Sequence, residues 1–188
     1  MKKINSACLL IIGILLFIIS YSGDNAVNLF FKNLDLQLFD FILSIVTNFG
    51  VMITVMLIIP SFLFYNKNKK LIYLLWSIFI VSFILAFTIK LIVLRQRPMD
   101  AFTFPLTGII NYSFPSMHSM VAFSLLPAII KYLPKQKLFF IIFSFLAAFS
   151  RIYFGFHFLS DVVFGMFSGY FIGNYLLGLH EKGRLWGK

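Results

Sequence analysis

The sequence predicts an all-α integral membrane protein, a six-transmembrane-helix bundle formed by a single domain over residues 1–188. The first observation is composition: 61% of the residues are hydrophobic and only 12% are charged, whereas soluble domains have about 25% charged residues. A soluble fold of this size has no core large enough to bury so much apolar surface. The second observation is the occurrence of six apolar runs that reach, or nearly reach, the roughly 20 helical residues needed to cross a hydrocarbon core.

These six runs are the predicted membrane spans. The first follows two lysines, as a signal sequence would, but no small-residue cleavage site follows it, so we expect it to be kept as a helix. In the fourth and shortest, Pro127 predicts a kink or a tilted start. In the last, Gly165, Gly169 and Gly173 predict close helix packing within the chain. The runs are Ile4–Tyr21, Phe41–Tyr65, Leu71–Leu94, Ser119–Leu133, Leu138–Phe154 and Val162–Leu179.

The basic residues predict the orientation in the membrane. The net charge of +10 is spread in short clusters between the apolar runs, which is typical of topology-setting residues beside anionic lipid and does not indicate a nucleic-acid partner. Eleven of the Lys and Arg residues fall on the side of the two termini, and five fall on the other side. Because cytoplasmic loops carry the excess of Lys and Arg, both termini are predicted to be cytoplasmic.

Residues 24–40, between the first two spans, mix apolar pairs with polar residues. Five apolar side chains fall on one helical face, which predicts an amphipathic helix lying on the outer face of the membrane. The alternative is a loop that caps this face. The five side chains are Leu29, Phe30, Leu34, Leu38 and Phe41.

Polar residues of the spans predict one functional site. Ionisable side chains at membrane depth are costly and mark functional sites. They occur here at the end of the third span, before the fourth, and between the fifth and sixth. With cytoplasmic termini, all three places face outward, so we expect one site at the outer leaflet edge. The residues are Lys90, Arg97, Ser116, His118, Arg151, His157 and Asp161.

The residue types indicate that this site binds a phosphate. Lys90, Arg97 and Arg151 would give one cavity three positive charges, which repel each other unless a multivalent anion joins them. Phosphate oxygens match guanidinium donors well. Pro115-Ser116 precedes an apolar run, so Ser116 is the predicted N-cap of a helix whose free N–H groups favour the same anion.

The remaining residues indicate acid–base or nucleophilic chemistry. His118 and His157 suit two proton transfers, or a nucleophile and an acid. Asp161 follows His157 by four residues, so on a helix its carboxylate can accept from one ring nitrogen and leave the other free to attack. This is the orienting logic of a catalytic triad with histidine as the nucleophile. The outer side has neither a His/Cys ligand set nor a carboxylate cluster, so no metal is expected.

Three sequence segments, taken in order, resemble the signature of the type 2 phosphatidic acid phosphatase superfamily. They are Lys90-x6-Arg97-Pro98, Pro115-Ser116-Met117-His118 and Ser150-Arg151-x5-His157-x3-Asp161. The resemblance implies a metal-independent, cofactor-free lipid phosphatase like the compact bacterial members. It implies that His157 forms a phosphohistidine, that Asp161 orients its ring, and that His118 protonates the leaving oxygen. The phosphoryl oxygens would be bound by Lys90, Arg97, Ser116, the Met117 N–H and Arg151.

Two residues stand apart from this signature. Met117 occupies a position where the family usually has glycine, which lets the backbone approach a phosphate closely. Its N–H can still donate, but its side chain must point away or line the substrate entrance. Arg95 lies outside the signature, and we interpret it as a contact either to a second phosphate or to an anionic lipid headgroup.

The resemblance implies a phosphorylated membrane lipid as substrate, at the outer face of a bacterial inner membrane. Lipid A 1-phosphate, undecaprenyl pyrophosphate and phosphatidylglycerophosphate are the favoured substrates. A lipid phosphotransferase would use the same residues. An anion transporter is the alternative class, but transporter sites lie near the midplane within inverted repeats, and these charges lie at one edge. A monomer is favoured.

Overall fold

The computed structural model describes residues 6–32, 34, 37–66, 68–98 and 112–186. Every regular element in these ranges is helical, which confirms the predicted all-α class. A π-helical turn, Thr54–Ile58, lies between the third and fourth helices. The helices are α1 (Ser6–Lys32), α2 (Gln37–Val46), α3 (Phe49–Ile53), α4 (Ile59–Tyr65), α5 (Lys69–Val93), α6 (Met117–Tyr132), α7 (Lys137–Tyr153) and α8 (Leu159–Glu181).

Several of these helices are membrane spans by length and composition. In α1, the segment Leu10–Lys32 qualifies, and α5 and α8 qualify over their whole length. The bent pair Phe39–Val46 and Phe49–Tyr65 forms a fourth if it is one span. The helices α6 and α7 have 16 and 17 residues. The chain is therefore a multi-pass membrane protein with three or four full-length candidate spans in the described ranges, and the count of six stays a prediction.

The short helix α6 lies at the centre of the bundle. All of its residues from Ser119 to Ile129 are buried, and α5, α7 and α8 pack around it. In contrast, α1 and α5 leave many large apolar side chains exposed. Because every residue of this stretch is buried against other helices, α6 is surrounded by protein rather than by lipid.

Glycines determine how closely α8 packs against α6. A Cβ atom at Gly169 would collide with the carbonyl oxygen of Met120, and one at Gly165 would lie 2.8 Å from the carbonyl oxygen of Ser116. Gly173 meets the α6 backbone in the same way. These contacts confirm the predicted packing stripe within the chain, because only glycine lets two helix backbones come this close.

The predicted amphipathic helix over residues 24–40 is not a separate element. Residues 24–32 continue α1, which ends at Lys32, and α2 begins at Gln37. The sequence from 24 to 32 contains neither Pro nor Gly, so nothing interrupts the hydrogen bonds of α1. At 1.5 Å per residue the helix is about 40 Å long and exceeds the hydrocarbon thickness. Residues 33, 35 and 36 lie outside the described ranges.

The predicted second span is broken at Thr47 and Asn48. The Asn48 side-chain oxygen accepts hydrogen bonds from the backbone N–H groups of Gly50 at 2.9 Å and Val51 at 3.2 Å, so Asn48 caps α3. Asn is a favoured N-cap residue, and the bend between the two parts is 62°. The break has a structural consequence, because it turns Thr47 toward α7.

Four helix ends meet at one end of the bundle, which we call the polar end: the ends of α5 and α7 and the starts of α6 and α8. Backbone hydrogen bonds join these segments. The Ser116 N–H donates to the Asp161 carbonyl oxygen at 3.1 Å, and the His157 N–H donates to the Arg151 carbonyl oxygen at 3.1 Å. The fold thus brings together residues that lie far apart in the sequence.

Candidate active site

All eight side chains singled out from the sequence lie at the polar end, but the elements that hold them differ. Lys90 is on the last turn of α5, and Arg151 is on the last turn of α7. His118 and Met117 start α6. Asp161 lies in the first turn of α8, and His157 lies before α8 rather than on it. The turn that carries His157 contains Gly155 with φ of 65°, a left-handed conformation that favours glycine.

The His157–Asp161 pair is fully buried. The exposed fractions of the two side chains are 3% and 0%, and the distance from His157 Nδ1 to Asp161 Oδ2 is 3.6 Å. The same carboxylate oxygen accepts hydrogen bonds from the Ser113 hydroxyl and from the Phe158 N–H at 2.9 Å. The carboxylate is therefore fixed by donors from two loops, with one oxygen directed at the histidine.

Burial also determines the protonation of His157, which lies outside the helices. It lowers the pKa of His157 well below its ordinary value, and the positive charge of Arg151 lowers this pKa further. The imidazole is therefore neutral at pH 7. Its Nδ1 atom makes no hydrogen bond within the described residues, and the Ser113 backbone is a hydrogen-bond partner of the ring. With Nδ1 facing Asp161, the lone pair of the ring is on Nε2 when Nδ1 carries the proton.

His118 begins α6 and packs edge-on against Phe49, with ring centroids 4.8 Å apart. Its buried Nε2 atom has no hydrogen-bond partner among the described residues. The Thr47 backbone is a hydrogen-bond partner of the same ring. One edge of the imidazole is thus held by the break in the second span, while Nε2 is left for another group.

Ser116 occupies the predicted N-cap position of α6, but its hydroxyl does not cap the helix. The Ser119 hydroxyl donates to the Ser116 hydroxyl oxygen at 2.9 Å, and Ser116 is fully buried. The first N–H groups of α6 are the donors that a helix N-terminus offers to an anion.

The three predicted phosphate-binding cations are each anchored to the backbone. Lys90, 3% exposed, donates to the carbonyl oxygens of Tyr112, Ser113 and Pro115, the last two at 3.3 Å. It therefore holds the loop that leads into α6.

The two arginines of this group are held by other segments. Arg97 donates to the Phe156 carbonyl oxygen at 2.9 Å. Arg151 donates to the Thr47 hydroxyl at 2.6 Å, and its guanidinium lies 4.4 Å from the centroid of the Phe156 ring. Its Nε atom is buried without a hydrogen-bond partner in the described part of the chain. Three cations gathered in a buried place repel each other unless an anion joins them.

Arg95 is bonded differently from both interpretations suggested by the sequence. Its guanidinium donates to Asp161 at 2.6 Å, to the Ser160 hydroxyl at 2.7 Å and to Asp24 at 2.7 Å. Arg95 is thus engaged with two carboxylates of its own chain. The physical reason is that two buried acids need a cation, and Arg95 supplies it.

Sequence reasoning missed three residues that contact the predicted site. Asp24 was not among the predicted site residues, although a charged residue in an otherwise apolar helix indicates a buried partner. Thr47 and Ser113 carried no chemical signal, although the polar pair Thr47-Asn48 inside an apolar run indicates a helix break. Across the ranges that the structure describes, no group of three or more His, Cys, Asp and Glu is placed to hold a metal ion.

Comparisons with known proteins concern the family and the fold of the chain. A family model described as the PAP2 superfamily matches residues 70–184. The crystal structure of a transmembrane PAP2 type phosphatidylglycerolphosphate phosphatase from Bacillus subtilis is similar to this chain, with a TM-score of 0.74 and 22% sequence identity over 94% of this chain and 96% of that chain. At this identity the likeness concerns the fold. Among curated proteins, no sequence matches the chain significantly.

Proposed function

The chain belongs to the PAP2 superfamily, and from this premise we propose that it is a metal-independent membrane phosphatase that hydrolyses the phosphomonoester or pyrophosphate of a lipid through a phosphohistidine. The observation that supports this most is the buried His157, with the Asp161 carboxylate 3.6 Å from its Nδ1 atom and three cations at the same end of the bundle. A neutral, oriented imidazole beside fixed positive charge suits nucleophilic attack on a phosphate.

In the first step, Nε2 of His157 forms a bond to phosphorus, and the bond from phosphorus to the lipid oxygen breaks. The bound phosphate dianion favours the protonated form of His118, and the proton on its buried Nε2, which has no partner among the described residues, passes to the leaving oxygen. In the second step, His118 removes a proton from water, the water oxygen bonds to phosphorus, and the bond to His157 breaks. One lipid phosphate and one water thus yield the dephosphorylated lipid and inorganic phosphate.

Asp161 stabilises His157 once this residue has attacked the phosphorus atom. The ring of His157 becomes positively charged when Nε2 bonds to phosphorus, because Nδ1 keeps its proton. The carboxylate near Nδ1 balances this charge and prevents the ring from turning. Burial on both sides keeps water from screening the interaction.

The cations stabilise the phosphoryl group itself. We propose that Lys90, Arg97 and Arg151, which lie at the same end of the bundle as His157, bind the phosphoryl oxygens, because charge on the equatorial oxygens is what such groups stabilise. The Ser116 hydroxyl and the Met117 N–H add donors at the N-terminus of α6. Lys90 also holds the loop before α6, so it sets the distance between these donors and the arginines.

The substrate we propose is a phosphorylated membrane lipid. The fold of a phosphatidylglycerolphosphate phosphatase supports phosphatidylglycerophosphate as one candidate, and undecaprenyl pyrophosphate and lipid A 1-phosphate are the others. The excess of Lys and Arg near the termini supports an orientation with cytoplasmic termini in a bacterial inner membrane and the site on the outer side. We propose that the whole chain is one such domain.

The test is phosphate release by detergent-purified protein in the presence of EDTA. The panel contains phosphatidylglycerophosphate, undecaprenyl pyrophosphate, lipid A and phosphatidic acid. We expect turnover to survive EDTA and to fall by about 10³-fold or more in His157→Ala. The matched control is His180→Ala, because His180 is also buried but bonds to the Leu185 carbonyl oxygen away from the site. Full hydrolysis by His157→Ala would overturn the proposal.

The covalent intermediate is tested separately. With a ³²P-labelled lipid and a short reaction time, the wild-type protein is expected to carry an acid-labile, base-stable label, as phosphohistidine does. His157→Ala is expected to carry none. His118→Ala is expected to gain the label slowly, because the leaving oxygen is not protonated, and to lose it slowly, because water is not activated. A label that persists in His157→Ala would assign the nucleophile to another residue.

A further inference from the structure

The Arg95 guanidinium at the polar end is surrounded by two aromatic rings and two carboxylates. Its guanidinium carbon is 4.1 Å from the centroid of the Phe158 ring and 5.3 Å from that of Tyr21. Its two terminal nitrogens bond to different carboxylates, Nη1 to Asp161 at 2.6 Å and Nη2 to Asp24 at 2.7 Å. A guanidinium held by two rings and two acids has one fixed orientation.

Asp24 is as well fixed as Arg95. It is 4% exposed, and its oxygens accept hydrogen bonds from the Ser160 N–H at 2.9 Å and from the Ser160 hydroxyl at 2.6 Å. The same hydroxyl accepts from Arg95. A buried carboxylate with this many donors is costly to remove and costly to leave unpaired.

The position of Asp24 in the chain adds a second fact. It lies on α1, outside residues 70–184 that the family model matches. Its partner Ser160 directly precedes Asp161 in the first turn of α8. The N-terminal helix therefore contacts the first turn of the helix that supplies the catalytic carboxylate.

We propose that Arg95 and Asp24 are a positioning pair that holds the Asp161 carboxylate against His157, with Asp24 supplying the negative charge that stops Arg95 from neutralising Asp161. This inference rests on the function proposed above. The two oxygens of the Asp161 carboxylate have different partners: Oδ1 bonds to Arg95, and Oδ2 faces the His157 imidazole. With Asp24 present, the guanidinium is shared between two acids, so Asp161 keeps charge for His157.

Arg95 and Asp24 have opposite charges, so removing each charge should shift the pKa of His157 in opposite directions. Removing the Asp24 charge leaves Arg95 to Asp161 alone, so the histidine is harder to protonate. Removing the Arg95 charge leaves both acids uncompensated, so the histidine is easier to protonate. A merely structural role in docking α1 would not give effects of opposite sign. The other ionisable groups facing His157 are unchanged in both variants; they are Lys90, Arg97, His118, Arg151 and Asp161.

The experiment measures the titration of His157 by NMR, in protein labelled with ¹³C in the histidine rings. Its resonance is assigned by its loss in His157→Ala. We expect Arg95→Gln to raise the titration midpoint by about half a unit to one unit. Adding Asp24→Asn to this variant is expected to bring the midpoint back toward that of the wild type. Asp24→Asn alone is expected to lower it.

The matched control is Asp40→Asn. It makes the same chemical change, but Asp40 accepts from the Tyr153 hydroxyl at 2.7 Å and contacts neither Arg95 nor Asp161 through a described hydrogen bond. It is expected to leave the midpoint unchanged. Thermal unfolding identifies any variant that does not fold. If Arg95→Gln does not fold, Arg95→Lys replaces it, because lysine retains the charge but cannot bond to both carboxylates with two fixed nitrogens. This variant is expected to keep the wild-type midpoint and to lose at least about tenfold in kcat.

The outcomes separate the two proposals because the titration requires no turnover. Opposite shifts from Arg95→Gln and Asp24→Asn support the pair, even if no lipid in the panel is hydrolysed, in which case the proposed function fails alone. A return of the midpoint in the double variant supports it further. Shifts in the same direction, or a midpoint that does not move in Arg95→Gln, would overturn the pair whether or not the protein is a phosphatase.

Discussion

The two ends of the bundle contain the same kinds of side chain in different surroundings. At the polar end, His157 and Asp161 are 3% and 0% exposed. At the opposite end, His180 bonds to a backbone carbonyl oxygen, and Lys131 pairs with Glu181 with exposed fractions of 45% and 36%. Both ends thus have a histidine, an acid and a cation.

The two ends differ in how strongly their charged side chains interact, because the charges are buried at one end and exposed at the other. At the opposite end, the charges remain in contact with solvent or headgroups and interact weakly. At the polar end, the charges are removed from solvent and held by directed hydrogen bonds, so each one acts strongly on its neighbours. Residue type alone therefore does not identify a site in this fold. Burial, together with donors that leave one atom unpaired, distinguishes the two ends.

The largest effect is expected from Arg151→Gln. Because Arg151 is buried beside His157 and its charge would act on the phosphoryl group, kcat/KM for phosphate release should fall by about 10³-fold. Lys131→Gln removes a charge at the opposite end and should change kcat/KM by less than about twofold. Equal losses in the two variants would mean that total charge, rather than its position, matters.

The next effect is on stability and compares two glycines of the same helix, α8. In Gly169→Ala the new methyl group collides with the Met120 carbonyl oxygen, so the free energy of unfolding should fall by about 1–3 kcal/mol. At Gly178 a Cβ atom meets nothing within 4 Å, and Gly178→Ala should raise the same quantity by up to about 1 kcal/mol. Reversible unfolding in mixed micelles measures both. Destabilisation by Gly178→Ala would contradict the packing described here.

The clustering of the candidate site residues at one end of the bundle was predictable from the sequence for a physical reason. Buried ionisable groups are rare in apolar spans, so His157, Asp161 and the three cations stand out by their depth alone. The all-α class followed from the long apolar runs, and the stripe of glycines predicted close helix packing within the chain, which the structure places between α6 and α8. These features depend on composition and local spacing, which a single sequence contains.

The remaining contacts depend on tertiary packing, which local patterns do not specify. Arg95 and Asp24 are separated by 71 positions in the chain, and their pairing arises only because α1 lies beside α8. The continuation of α1 through residues 24–32 was missed because a polar, amphipathic stretch resembles an interfacial helix. The break at Thr47-Asn48 was missed because the apolar run on both sides obscures a cap.

The third prediction concerns pH. Burial, and then the charge of Arg151, lower the pKa of His157, so the neutral nucleophile persists as pH falls, and activity is lost only on passing below the lowered pKa. The acidic limb of kcat/KM should therefore lie below pH 6.5, the ordinary value for histidine. The pH dependence of kcat/KM is corrected for the ionisation of the substrate phosphate, which is measured by ³¹P NMR. A limb at or above 6.5 would indicate an imidazole in contact with water.

The smallest effect is expected at the opposite end, in Glu181→Gln. The Lys131–Glu181 pair is exposed, so its loss should change the free energy of unfolding by less than about 0.5 kcal/mol. Glu181 is also the last residue of α8, where a negative charge interacts unfavourably with the helix dipole. Removing this charge therefore offsets part of the stability lost with the ion pair. Asp161→Asn, the same change at the polar end, breaks a buried contact to Arg95 and should destabilise the protein by about 3 kcal/mol or more. If the two variants lose similar stability, the directed bonds around Asp161 do not hold it more firmly than solvent does, and burial is not what separates the two ends.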